Sequence, residues 1–139
     1  MKRIVLPLLI VALLLIPLGL TGCEDASCPR DQVLTSLEKM GDVADRMNAP
    51  ADKLQNVESL DDLGPIRAEF EALRDEAALI EIPECLTEAK FEMVAMYDSY
   101  IGAVEALERE DFDAANQGLA EAEQHLTKFQ EALDAVANR

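Results

Sequence analysis

The side chains of this chain whose type and spacing could do chemistry are few. Cys23, Cys28 and Cys85 are its three cysteines. Met93 and Met96 are two thioethers three residues apart, a pattern suited to Cu(I). His125 is the sole histidine and could serve as a metal or haem ligand. Against these stand 28 carboxylates, and pairs of carboxylates can do acid–base work, but with so many the sequence ranks none above another. Other chemistries lack their parts. A carboxylate-bridged di-iron site needs Glu-x-x-His pairs on facing helices, whereas Ala122 stands three residues before His125 and no second histidine exists. No Cys-x-x-Cys-His haem attachment occurs. There is no Gly-rich phosphate loop, and a single histidine set in a helix makes a poor Ser-His-Asp triad. Glu105, Glu108, Asp111 and Asp113 lack the spacing and central glycine of a calcium loop. The expectation is a protein that is not an enzyme and holds no cofactor.

Helices must position these groups. From residue 33 onward, apolar side chains recur at alternating steps of four and three, the spacing of one helix face. Val33, Leu37, Met40, Ala44 and Met47, widened by Leu34 and Val43, predict a first helix over about 30–48. Pro50 ends it, because proline disfavours helical geometry in the residue before it. Residues 51–58 are ambiguous: Leu54 and Val57 could seat a short helical turn, and the stretch reads as a partly ordered connection. Ser59 has the character of an N-cap. Leu60, Leu63, Ile66, Phe70, Leu73, Ala77 and Ile80 then predict a second helix over about 60–81, with Gly64-Pro65 as its weak point.

The third helix, about 84–108, is the most apolar. Its main stripe is Leu86, Ala89, Met93, Met96, Tyr100, Ala103 and Leu107, flanked by a second one of Val94, Tyr97, Ile101 and Val104. Asp111 can cap a fourth helix, about 112–137, whose stripe runs Phe112, Ala115, Leu119, Ala122, Leu126, Phe129, Leu133 and Val136. Aromatics make up 4% of the chain and tryptophan is absent, so the core must be built from Leu, Ala, Val, Ile and Met. Met93 and Met96 fit the core stripe, and methionine is a common gap filler. His125 falls beside the stripe of the fourth helix, where a partly exposed polar residue is expected.

The N-terminus carries a different signal. Met1-Lys2-Arg3 precedes an uncharged apolar run over residues 4–20, and small residues follow it, the order of a secretory signal peptide. A permanent membrane span is the competing reading; 17 residues is the lower limit for one, and Pro7 and Pro17 weaken it. Leu20-Thr21-Gly22-Cys23 resembles the lipobox of bacterial lipoproteins. The resemblance implies cleavage after residue 22, a diacylglyceryl thioether on Cys23, and a lipid anchor on the outer side of a bacterial membrane. The implied organisation is a signal peptide over 1–22, a lipidated tether over 23–27 and a helical bundle over 28–139.

The full chain has 12 basic side chains against 28 acidic ones, a net charge of −16; losing Lys2 and Arg3 leaves 10 against 28, or −18, on 117 residues. So acidic a surface argues against nucleic acid and against lying flat on anionic lipid.

Four amphipathic helices with mostly short connections predict an all-α, up-down-up-down four-helix bundle. In that topology the first and third helices start at the same end, which brings Cys28 and Cys85 together. Two thiols so placed outside the cytoplasm predict a structural disulfide. The same end would face the membrane, leaving residues 48–59 and 108–113 at the far end as the surface for a partner. The function expected is therefore a membrane-anchored scaffold or binding module for another component of the cell envelope. An apolar surface patch for the partner is expected on the second stripe of the third helix, and a second copy of the chain is an alternative occupant by the same route. The rival reading is a carrier of a small ligand or metal, copper or haem, in a cavity of the bundle core near Tyr97 or Tyr100.

Overall fold

A computed structural model of the chain describes residues 26–138. The signal-peptide segment 1–22, the lipidation position Cys23 and the first part of the tether lie outside the described residues. The described chain is all-helical, with no strand. Five α-helices follow in order: α1 Arg30–Arg46, α2 Asn48–Gln55, α3 Leu63–Leu79, α4 Thr87–Glu108 and α5 Phe112–Ala137. Short 3₁₀ turns, Leu60–Asp62 and Glu84–Leu86, lead into α3 and α4.

In residues 51–58 the helical turn at Leu54 is realised as part of a regular helix, α2, that runs through Gln55, in place of a partly ordered connection. Pro50 explains the arrangement. It has no N–H to give the Arg46 carbonyl, so the regular ladder of α1 stops there. Met47 donates instead to Ala44 at 3.1 Å, and Ala51 resumes the helical bonding to Met47 at 3.1 Å. Pro50 then occupies the first turn of α2, where a missing donor costs nothing.

The capping residues act as their types imply. The Ser59 hydroxyl accepts from the Asp61 N–H, and Asp111 Oδ1 accepts from the Ala114 N–H at 3.1 Å. Between α4 and α5 the chain reverses within three residues. Glu110 takes the left-handed conformation with φ 58°, its N–H bonds to Leu107, and the Asp111 N–H bonds to Ala106. This is the Schellman closure, which usually places glycine at the left-handed position.

Helix α4 lies at the centre. Tyr97 and Val104 are fully buried and Ile101 nearly so, which removes the second stripe of this helix as a surface patch; neighbours cover it. Against α3, the rings of Phe70 and Tyr100 stack with centroids 5.0 Å apart, and Arg67 reaches Glu105 and Glu108 while Arg74 reaches Asp98. Against α5 the approach is closer, through small residues. A Cβ built on Gly118 would lie 3.1 Å from the Ala103 Cβ and 3.1 Å from the Ser99 carbonyl oxygen. Helix α1 is seated by Val33, Met40, Val43 and Ala44 in the core, by a Ser36 hydroxyl bond to the Glu81 carbonyl, and by Tyr97 Oη donating to the Val43 carbonyl at 3.0 Å. Ion pairs Arg46–Glu76 and Lys53–Glu69 link α1 and α2 in turn to α3. Such exposed pairs contribute little, about 0–1 kcal/mol each.

Candidate functional site

The chemistry-bearing residues separate into one end of the molecule, its interior and the other end. At the first end Cys28, two residues before α1, and Cys85, in the 3₁₀ turn before α4, form a disulfide with a Cα–Cα distance of 5.5 Å across a sequence separation of 57. Both cysteines are half-buried and pack against the core, which suits a structural bond.

In the interior, Met93 and Met96 are buried among apolar neighbours, as are Met40 and Met47. Tyr97 and Tyr100 lie with them, and burial raises both phenol pKa values, that of Tyr97 strongly. His125 is partly exposed, and its Nδ1 lies 2.6 Å from Oε2 of Glu92, which is nearly buried. The sequence pointed to His125 but not to Glu92. The available signal was that Glu92 follows the buried Ala89 by three positions and so shares the edge of its stripe. Among the described residues no three His, Cys, Asp or Glu side chains gather as a metal group would require. An open recess of about 400 Å³ lies between α4 and α5 and is lined by Asp98, Ser99, Gly102, Gln117, Gly118 and Glu121, with Ala114. It is a surface hollow made by small residues, separate from the methionine and tyrosine cluster.

The opposite end carries the 56–62 and 109–111 connections. Arg67, near the start of α3, reaches Glu105 and Glu108 at the end of α4, and so ties the two connections to one end. Two large apolar side chains stand out of the core there: Leu60 is 50% exposed and Phe112 is 57% exposed. Both correct the stripe assignments. Leu60 sits in a 3₁₀ turn, whose tighter winding rotates it away from the face that α3 buries. Phe112 is the first residue of α5, level with the turn where α4 has already ended. Leu34, expected to widen the face of α1, is also exposed.

No helix among the described residues is long and apolar enough to cross a membrane. Compared with known proteins, the chain matches no family model, no curated protein and no solved structure. The functional reading therefore rests on the geometry and the sequence.

Proposed function

We propose that this chain is a lipid-anchored extracytoplasmic protein of a bacterial envelope, an up-down-up-down helical bundle that binds another envelope component and does no chemistry on it. The observation that carries the partner reading is the exposure of two large apolar side chains, Leu60 in the turn before α3 and Phe112 at the start of α5, at the end away from the disulfide. Large apolar side chains held in water by a packed scaffold are a common mark of a contact surface. The disulfide supports the compartment, since thiol pairs persist oxidised outside the cytoplasm. The Leu20-Thr21-Gly22-Cys23 signal supports the anchor on Cys23. The strong negative charge favours a partner with a basic rim around an apolar centre, and it disfavours nucleic acid.

The test places a photo-crosslinking side chain at Leu60, at Phe112 and, as a control, at Glu131 on the side of α5, in the intact protein in cells. Adducts of one mass at the first two positions and none at the control are expected, and Leu60→Ser with Phe112→Ser should remove them. Adducts of equal yield at all three positions, or none at Leu60 and Phe112, would overturn the partner surface. The anchor is tested separately: Cys23→Ser should move the protein from the membrane fraction to the soluble one or leave it unprocessed.

A further inference from the structure

The disulfide end also carries exposed apolar side chains, and their placement is not accounted for by a partner at the far end. Leu79 is 81% exposed, Phe91 65% and Leu34 42%. Leu79 is the last residue of α3, while Leu34 and Phe91 are each the fifth residue of their helices, α1 and α4. All three thus lie within about 6 Å of the helix ends along the bundle axis, at a rise of about 1.5 Å per residue. This is the end at which the chain enters the bundle, since Ala26 is two residues before Cys28. Only Glu24 and Asp25 separate Ala26 from Cys23, a span of at most about 11 Å when extended.

We infer that Leu34, Leu79 and Phe91 form a shallow second contact with the membrane, beside the lipid on Cys23. The inference rests on the lipid-anchor reading above. Depth matches, because interfacial side chains enter the headgroup and acyl boundary by about 5–10 Å. Charge selects the lipid. Asp31, Glu38, Glu81, Glu84 and Glu88 are exposed in the same region against the exposed cations Arg30 and Lys39, so a zwitterionic surface suits this end and an anionic one opposes it. The diacylglyceryl group on Cys23 supplies the hold but leaves the tilt of the bundle free, and added apolar contact fixes which end faces the bilayer.

The absence of tryptophan makes the test clean, because any introduced tryptophan reports alone. Lipidated mature protein carrying Phe91→Trp, Leu79→Trp or, at the opposite end, Phe112→Trp is reconstituted on phosphatidylcholine vesicles with brominated acyl chains. Tryptophan at 79 or 91 should be quenched at least about twofold more than tryptophan at 112, because only side chains at the interface approach the acyl bromines. Replacing part of the lipid with phosphatidylglycerol should lessen the difference. Equal quenching at 91, 79 and 112 in protein that still floats with the vesicles overturns the contact and leaves the anchor standing. Protein that does not float overturns both. Blue-shifted emission at 91 without lipid, together with a dimer in sedimentation, assigns this surface to a second copy of the chain and overturns the membrane contact.

Discussion

His125 Nδ1 and Glu92 Oε2 lie 2.6 Å apart, joining α5 to α4 through residues 33 positions apart in sequence. The carboxylate is the more buried partner, so its energetic state depends on the imidazole. Removing the histidine alone strands a polar group that water reaches poorly, at a cost of about 1–3 kcal/mol. His125→Ala is expected to lower the urea-unfolding free energy by that amount. Glu92→Leu in the same background is expected to recover most of the loss, since no stranded carboxylate remains. Equal stability of His125→Ala and the parent would show that the pair contributes nothing.

The disulfide closes a loop across a separation of 57 residues. In the chain-entropy description that contributes about 4 kcal/mol, less any native-state strain. Cys28→Ala with Cys85→Ala should lower stability by about this amount in guanidinium titrations. In the processed, lipidated protein no thiol should react with an alkylating reagent under denaturing, non-reducing conditions. Two should react after reduction.

Two glycines within helices should respond to alanine with opposite signs. Gly102 has open space where a Cβ would stand, whereas a Cβ on Gly118 would press on the backbone and Cβ of α4. Gly102→Ala gains helix propensity of about 0.5–1 kcal/mol. Gly118→Ala has the same gain but must push two helices apart, an overpacking cost of about 1–3 kcal/mol, and is expected to be destabilising on balance. Thermal unfolding of both variants beside the parent reads the signs directly.

Both tyrosines are buried, and burial raises both phenol pKa values above the ordinary value of 10.0. A raised folded-state pKa contributes stability that is intact below the unfolded value and is lost as pH climbs past it. Stability should therefore hold through neutral pH and fall above about pH 10. Phenolate absorbance should appear together with the loss of helical circular dichroism. A phenolate signal that titrates near pH 10 in fully helical protein would contradict the burial.

Much of this fold was legible because helix faces repeat. The stripes of α3, α4 and α5 placed Phe70, Met93, Met96, Leu119 and Phe129 in the core, where they lie. Cys28 and Cys85 were paired from topology, since each stands just before a helix that starts at the same end. The misplaced residues share a cause. Leu60 and Phe112 match their stripes by spacing, but whether a stripe position is covered depends on how far the neighbouring helix extends, and periodicity carries no such information. Pro50 has the sequence character of an end and is a joint, because the cost of proline falls on the turn before it and vanishes in a new first turn. Glu92 was obscured by numbers: among 28 acidic residues, one that turns inward has no distinguishing type.

Helix α5 is an unbroken 26 residues, about 39 Å at 1.5 Å per residue, and it runs the length of the molecule between its two apolar ends. Helices neither stretch nor shorten without breaking hydrogen bonds, so that length is a mechanical constant. Under the proposed reading, a partner at Leu60 and Phe112 would be held at a set stand-off from a surface at Leu79 and Phe91. In that reading the molecule would act as a strut of fixed length, and inserting or deleting helical turns in α3, α4 and α5 together would recalibrate the gap.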